Sequence, residues 1–197
     1  MIRLRNAGLA GIAFCLAAGT ALADAPAWTV EDDSRVGFRT EQSGATVEGV
    51  FERFEAEIRF DADSLDMSKV AVTIDVASVN SESTDRDTAI RSAPLFDVET
   101  YPTARFEATR FVANGDSQFE AHGTLTLRDV TKDVVLPFTL EIAPHPDGNG
   151  ALQARAVGEL SVLRLDYGVG QGVWTDTSVV PNEVGIFIDI VASMPGG

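Results

Sequence analysis

The chain has 197 residues, with 15 basic and 30 acidic side chains and a formal net charge of −15 at pH 7. This charge repels nucleic acid and anionic lipid surfaces, so composition excludes a nucleic-acid-binding protein. The one cysteine, Cys15, lies in an N-terminal segment that we expect to be removed, so the mature chain has no disulfide. Burial of apolar side chains must therefore stabilise the fold, and about 174 residues suffice for one sizeable core.

Residues 1–23 have the pattern of a cleaved secretory signal peptide. Two arginines precede an apolar run over residues 7–18, and Ala-Leu-Ala at 21–23 forms a small-residue cleavage site. A transmembrane anchor is the alternative, but the apolar run is short and ends at that site. We therefore expect a soluble protein that is exported to an oxidising compartment such as a bacterial periplasm. We expect it not to be an integral membrane protein and to have a single domain over residues 24–197.

Short strands dominate the mature chain. From residue 28 onward apolar and polar residues alternate between turn signals, and no segment longer than about ten residues has helical spacing. The pattern predicts an all-β protein. The alternating residues are Val36 and Phe38; Val47, Gly49 and Phe51; Ala56, Ile58 and Phe60; Val70, Val72, Ile74 and Val76; Ala104, Phe106 and Ala108; Phe119, Ala121, Gly123, Leu125 and Leu127; Val134, Leu136, Phe138 and Leu140; Leu152, Ala154, Ala156, Gly158 and Leu160; and Val184, Ile186, Ile188 and Ile190.

Small residues on these apolar faces favour a hollow barrel over a sandwich. Eight or more strands can form either architecture, but inward Ala and Gly leave space, and an eight-stranded barrel can enclose one ligand. The alternative is that the small residues accommodate close strand packing or bulges. They are Gly49, Ala56, Ala104, Ala108, Ala121, Gly123, Ala154, Ala156 and Gly158.

One short helix is predicted at the start of the stretch DRDTAIRSAPLFDVETYPTARF, residues 85–106. Thr84 can cap it, Asp87 and Arg91 form an i,i+4 pair, and Pro94 ends it. A helix of under three turns persists only by docking, so we expect it at one end of the barrel, as a static plug or as a lid. The side chains that would dock are Ile90, Leu95 and Phe96.

The same stretch resembles the signature of the YceI family of bacterial periplasmic lipocalin-like proteins, roughly R-D-x-x-L-R-S, then F-D, then Y-P and F. A second family pattern, G-x-L-T-x-x-G-V-T-K, is similar to residues 123–132, with Asp129 where Gly is usual. Asp tolerates the left-handed conformation, so we expect that turn to persist at Asp129. The first pattern matches Arg86, Asp87, Ile90 in place of Leu, Arg91, Ser92, Phe96, Asp97, Tyr101, Pro102 and Phe106.

The resemblance covers nearly all of the mature chain and implies a fold and a function. The fold is a lipocalin-like antiparallel β-barrel of about eight strands, with an apolar tunnel that binds a polyisoprenoid or a similar long-chain amphiphile. Family relatives also occur beside or fused to membrane b-type cytochromes, which suggests an isoprenoid quinone as cargo and such a cytochrome as a partner. Asp33 and Gln42 replace histidines of the family, so any polar ligand contact of those histidines cannot be carried over to this chain.

The predicted ligand site has an apolar wall and a polar mouth. Arg86, Arg91 or Arg105 could meet a phosphate or quinone oxygen at the mouth. These arginines could equally pair with nearby carboxylates in a structural role. The predicted tunnel wall is Phe38, Phe51, Ile58, Val72, Ile74, Phe106, Leu125 and Phe138.

Catalytic and metal-binding patterns are weak. The mature chain has no cysteine, no G-x-S-x-G motif and two separated histidines, His122 and His145. The acidic stretch 61–68 has Leu65 where a calcium loop needs an oxygen ligand, and the glycines of 167–172 precede no capped helix that could receive a phosphate. We expect no enzyme activity, cofactor or metal. The alternatives are a non-catalytic interaction module and an enzyme that acts on a bound lipid.

Overall fold

The computed structural model describes residues 24–148 and 150–195. The predicted signal peptide, residues 1–23, lies outside the described residues. No helix of the described part is both long and apolar enough to cross a membrane. The elements are β1 (Ala27–Val30), β2 (Arg35–Gln42), β3 (Ala45–Phe51), β4 (Phe54–Arg59), β5 (Lys69–Asp75), β6 (Val79–Asn80), α1 (Thr84–Arg91), β7 (Thr103–Ala113), β8 (Gln118–Leu127), β9 (Val130–Pro144), β10 (Leu152–Leu163) and β11 (Glu183–Met194).

Eight of the strands close into an antiparallel barrel. The hydrogen-bonded order β1-β4-β5-β7-β8-β9-β10-β11 returns to its start because β1 also pairs with β11. On β11, residues 192–193 pair with β1 and residues 185–189 pair with β2, so β2, β3 and β6 extend the wall at one end. The predicted all-β barrel of about eight strands with one short helix is confirmed.

A bulge in β7 shows how the sequence sets the inner face. Ala104 and Ala108 are buried at 4% and 1% exposure, in step with period-2 alternation. The register with β8 then shifts between Ala108 and Arg110. One extra residue reverses the alternation, so Phe111 faces the core and Arg110 stays on the outside, where its guanidinium lies 3.1 Å from the His122 ring.

The inner-face glycines do not create the hollow. A Cβ at Gly123 would collide with the carbonyl oxygen of Glu107, and Gly158 meets equally close backbone from its neighbouring strand. At Gly49 the missing side chain is replaced by the ring of Phe38. For these three positions the close-packing alternative is correct, because glycine lets neighbouring groups approach rather than leaving a void.

Helix α1 begins one residue earlier than the capping prediction. Ser83, not Thr84, is the N-cap, and its hydroxyl oxygen accepts the N–H of Arg86 at 3.4 Å. The helix ends at Arg91 with Ser92 as the C-cap, two residues before the proline that was predicted to stop it.

The predicted Asp87–Arg91 pair does not form. The buried carboxylate of Asp87 instead accepts the backbone N–H and the hydroxyl of Ser81. Arg91 donates to the carbonyl oxygens of Ala77 and Val79, at 2.9 and 2.7 Å. Both side chains therefore attach α1 to the chain around β6, because hydrogen-bonding groups of that segment lie within their reach.

The turn between β8 and β9 is present as expected. Its left-handed residue is Arg128 (φ +55°), however, and not Asp129. The Arg128 guanidinium donates to the carbonyl oxygens of Ala93 and Leu95 and stacks at 5.0 Å from the ring centroid of Tyr101. These contacts hold the segment after α1 against the barrel and offset the cost of a left-handed residue with a side chain.

We predict that Gly123→Ala lowers the free energy of unfolding by about 3 kcal/mol, because the added methyl group forces the backbone of β7 and β8 apart. Gly44→Ala is the matched control, since that glycine has φ +80° and open space around it. It should cost only about 1 kcal/mol for the left-handed backbone. Urea unfolding followed by circular dichroism measures both, and equal losses would contradict the close-approach interpretation.

A second prediction concerns acid stability. Arg155 donates to both carboxylate oxygens of Asp189, each at 2.8 Å, and this hydrogen bonding lowers the pKa of Asp189. A carboxyl group with a lowered folded-state pKa stabilises the protein above its unfolded pKa of about 3.9, and this stability is lost as pH falls through the folded-state pKa. Arg155→Gln should therefore reduce stability slightly at pH 7 but not once Asp189 is protonated. Urea titrations at several pH values across the acid range measure the free energy of unfolding of Arg155→Gln, with Asp189→Asn as the partner variant. A stability difference between Arg155→Gln and the unmodified chain that does not change with pH would refute the prediction.

Candidate functional site

The barrel interior contains two apolar cavities. The larger has a volume of about 380 Å³ and lies beside α1, and the smaller has about 140 Å³ and lies deeper. Val36, Ile74, Leu125 and Ile186 line both. Because these four residues form a shared wall, the cavities stand end to end along the barrel.

The predicted wall residues all face this interior. Phe38 and Phe51 line the larger cavity, and Ile74 and Leu125 line both. The smaller cavity is lined by the other four predicted residues, Ile58, Val72, Phe106 and Phe138.

Alanines make the hollow that the glycines do not. Ala104 lines the larger cavity, and Ala56, Ala121, Ala154 and Ala156 line the smaller one. At each of these positions an inward methyl group stands where a filled barrel would carry a larger side chain.

An aromatic cluster lies at the deep end of the bore. The ring centroid of Phe60 is 5.4 Å from Phe111, 5.6 Å from Phe119 and 6.0 Å from Phe138, in edge-to-face arrangements. Such geometry is favourable for aromatic pairs. The interior is therefore hollow toward α1 and packed with rings at the opposite end.

The three predicted lid residues come together at the α1 end. Ile90, Leu95 and Phe96 all line the larger cavity. The segment that carries them is fastened on its outer side, because the carbonyl oxygen of Pro94 accepts the N–H groups of Gly170 and Gln171, at 3.1 and 2.8 Å.

Of the three predicted head-group arginines, only Arg86 lines a cavity. It donates to the hydroxyl and carbonyl oxygens of Ser81, at 2.9 and 2.7 Å, and to Gln42 Oε1 at 3.4 Å. Arg91 is engaged with backbone carbonyls next to β6. Arg105 is exposed on β7 and pairs with Glu107 at 2.9 Å, away from both cavities.

Sequence reasoning missed Arg164, a cation in the wall of the larger cavity with only 5% exposure. Its guanidinium donates to the carbonyl oxygens of Val169, Val180 and Pro181, at 2.9 to 3.0 Å. Burial lowers the pKa of Arg164. The sequence did contain a signal for Arg164. The inward positions of β10 include Leu160 and Val162, and residue 164 is the next position in the same alternation.

Thr40 was also missed. It follows Phe38 on the inner face of β2 and lines the larger cavity. Its hydroxyl oxygen is buried and has no hydrogen-bond partner within residues 24–148 and 150–195. Buried polar groups without partners are rare in folded proteins, so this hydroxyl needs a functional or structural reason.

The glycine-rich stretch at 167–172 proves to be part of the site. Gly168, Gly170 and Gly172 have φ of +70°, +121° and +59°, which turns the chain across the barrel end. Val169 and Trp174 thereby reach the larger cavity. The sequence analysis only excluded a phosphate site at these glycines and did not anticipate this contribution.

Residues that could support catalysis are sparse around the cavities. The ionisable side chains in the two linings are Asp85, which is exposed, and the two arginines described above. His122 Nε2 lies 3.0 Å from Glu120 and His145 Nε2 lies 3.2 Å from Glu31, and neither histidine lines a cavity. Over the described ranges no group of three His, Cys, Asp or Glu residues is arranged to hold a metal ion.

Sequence relatives cover most of the chain. A UPF0312 protein of Azotobacter vinelandii is 34% identical over 142 residues, which are 72% of this chain and 71% of the relative. A UPF0312 protein of Vibrio parahaemolyticus is 32% identical over 160 residues, 81% of this chain and 82% of the relative.

Solved structures share the fold. Burkholderia cenocepacia BcnA matches with a TM-score of 0.72 and 29% identity, covering 80% of this chain and 95% of that one. The Campylobacter jejuni YCEI protein matches with a TM-score of 0.67 and 27% identity, covering 74% and 83%. A polyisoprenoid binding domain from Saccharophagus degradans has a TM-score of 0.66 at 16% identity, covering 86% and 99%, and shows the common fold alone.

The family model described as "YceI-like domain" matches residues 28–192. This range covers all eight strands of the closed barrel apart from Ala27 at the start of β1 and the last two residues of β11. The chain therefore belongs to the YceI-like family.

Proposed function

We propose that the chain is a periplasmic lipid-binding protein that holds a polyisoprenoid or an isoprenoid quinone-like amphiphile in the barrel, for transport, storage or sequestration. The observation that carries this proposal is the pair of apolar cavities placed end to end inside a closed barrel. The polyisoprenoid binding domain of Saccharophagus degradans, which has the same fold, supports the ligand class. The periplasmic location rests on the signal-peptide pattern of residues 1–23.

The dimensions suit a prenyl tail. Along β11 the cavity walls run from Val184 to Ala192, which is about 26 Å at roughly 3.3 Å per residue and about 20 Å along the axis of a barrel with tilted strands. A prenyl unit adds four carbon–carbon bonds, or about 5 Å, so roughly four units fit. A longer tail would remain partly outside.

The energetics suffice for capture without chemistry. Burying a prenyl unit gains roughly 4 kcal/mol at about 0.8 kcal/mol per carbon. Four units give about 16 kcal/mol, which is below the ceiling of about 18 to 21 kcal/mol for non-covalent complexes, before the costs of ordering the tail are subtracted. Hydrophobic burial is therefore an adequate driving force.

The two alternatives fit the site less well. A non-catalytic module that partners a membrane b-type cytochrome would have a barrel filled by its own side chains, whereas cavities of about 380 and 140 Å³ are present. An enzyme acting on bound lipid needs a nucleophile or a general acid or base in the bore. The ionisable residues of the lining offer two arginines and one exposed carboxylate.

We expect the mature chain, purified gently from a periplasmic extract, to carry a prenyl lipid that native mass spectrometry detects as a discrete mass increment. Delipidated protein should take up the same lipid again. Protein that is repeatedly free of lipid and takes up no prenyl alcohol or prenyl quinone would refute the carrier function, whatever it binds on its outer surface.

Filling the deep cavity should limit the length of the bound tail. Ala156→Phe adds a ring in the smaller cavity, so we expect at least a tenfold loss of affinity for geranylgeraniol and little loss for geraniol, which the larger cavity can hold alone. Val157→Phe is the matched control, because that neighbour on β10 is 42% exposed and lies outside the bore. Displacement of an environment-sensitive fluorophore measures both affinities. Equal effects of the two variants would show that tails do not occupy the deep cavity.

A further inference from the structure

At the end of the barrel opposite α1, three strands extend past their neighbour β8. That strand begins at Gln118, which pairs with Thr139 of β9, but β9 continues to Pro144 and stays paired with β10 up to that residue. β11 continues beside β10 as far as Met194. Within the described residues no strand pairs with this last part of β9 on the side of β8. We call the extension the overhang; it comprises residues 140–144 of β9, 152–156 of β10 and 190–194 of β11.

The inward face of the overhang is apolar. Inward positions recur every two residues along a strand, and the pairing places Ile142, Ala154 and Ala192 in one row across the three strands. The apolar surface of the bore therefore continues onto the overhang. Its inward positions are Leu140, Ile142 and Pro144; Leu152, Ala154 and Ala156; and Ile190, Ala192 and Met194.

Ile142 marks the place where the smaller cavity reaches solvent. Its side chain lines that cavity and is 44% exposed, whereas the other lining residues within the described ranges are buried or half-buried. By contrast, the exposed Val157 of β10 lies at an outward position, where single apolar residues are common. Beside Ile142 the row carries only the methyl groups of Ala154 and Ala192. The smaller cavity therefore has an opening at Ile142, next to the aromatic cluster.

The overhang is held in place without a ligand. Glu31 follows β1, and its carboxylate accepts a hydrogen bond from Gln153 Nε2 at 3.0 Å and lies 3.2 Å from His145 Nε2. These contacts join the hairpin between β9 and β10 to the chain after β1, the strand that pairs with the other edge of β11. A preformed surface needs no ordering when a ligand binds, which favours affinity.

A prenyl tail longer than the bore is the ligand that fits this surface. The bore holds roughly four units at about 5 Å each, so a fifth unit must leave it. At the α1 end, the Pro94 carbonyl oxygen fastens the covering segment to Gly170 and Gln171. At the deep end, the opening at Ile142 adjoins the apolar overhang. Burial of apolar surface is non-directional, so such a tail needs no polar partner there.

We propose that the prenyl tail leaves the barrel through the opening at Ile142 and that its fifth unit lies on the inward face of the overhang. The inference rests on the proposed lipid-binding function. It adds a range of chain length, because affinity should rise up to about five units and then stay level, since units beyond the overhang contact no protein. A bore closed at the deep end would instead reject tails of more than four units.

Cysteine labelling tests the opening, because the chain from residue 24 onward contains no cysteine. Ile142→Cys places a single thiol at the opening. Val157→Cys is the matched control, since it places a thiol on the outer face of β10 at nearly equal exposure, 42% against 44%. The rate of modification by a water-soluble maleimide is measured without lipid, with geraniol and with the nine-unit alcohol solanesol.

We expect solanesol to slow the modification of Ile142→Cys about tenfold at a free concentration of about ten times its Kd, because about a tenth of the protein then stays unliganded. Geraniol, which the larger cavity can hold alone, should leave the rate unchanged. Neither lipid should slow the modification of Val157→Cys.

A charge at the opening gives an independent measurement. An ionised carboxylate disfavours an apolar chain beside it, so Ile142→Asp should weaken the binding of solanesol about tenfold or more and leave that of geraniol unchanged. Val157→Asp makes the same change in net charge outside the bore and should alter neither affinity. Displacement of an environment-sensitive fluorophore measures both.

The outcomes separate the opening from the carrier function. Solanesol that binds without slowing the modification of Ile142→Cys, or that slows both cysteines equally, overturns the opening and leaves the carrier function standing. Binding of geraniol with rejection of solanesol does the same. Modification of lipid-free Ile142→Cys that becomes faster on dilution would mean that a second copy of the chain covers the overhang, and would also overturn the opening. Failure of every prenyl alcohol to bind overturns the carrier function and the opening with it.

Discussion

Closure of the sheet is the constraint on which the rest of the structure depends. The pairing of Thr29 with Ser193 and of Val30 with Ala192 joins β1 to β11 and removes the edges that an open sheet would expose. Next to this seam, the indole N–H of Trp28 donates to the carbonyl oxygen of Phe60 at 3.0 Å. A closed barrel must have an inside, and the size of the inward side chains then decides whether that inside is full or hollow.

The sequence permitted a good prediction of the fold, because period-2 alternation over long strands admits few architectures. It could not predict local exceptions that depend on geometry between strands. The bulge after Ala108, the left-handed residue at Arg128 and the switch of the N-cap to Ser83 each follow from neighbours that are distant in the chain or from competition between adjacent hydroxyls. The Asp87–Arg91 pair failed for the same reason, since both side chains found partners around β6.

The apolar part of the candidate site was also readable from sequence, and its polar part was not. Wall residues follow directly from the inward face of each strand. Arginines near the helix signature drew attention because of their motif, yet Arg105 alternates to the outer face, while Arg164 reaches the cavity from a 3-10 helix that begins where β10 ends. Whether a donor is satisfied is a property of three-dimensional neighbours, so the unpartnered hydroxyl of Thr40 has no sequence signature at all.

The carbonyl oxygen of Pro94 accepts two N–H groups and thereby ties the segment after α1 to the glycine-rich stretch at 167–172. Neither segment can leave the barrel end alone without breaking hydrogen bonds to the other. The guanidinium of Arg128 adds two more attachments, which join the segment after α1 to the barrel wall. Entry to the interior at this end would therefore require several hydrogen bonds to break together, so ligand exchange there would be slow and two-state. The residence time of the lipid would be governed by local unfolding of the barrel end and not by diffusion of the lipid.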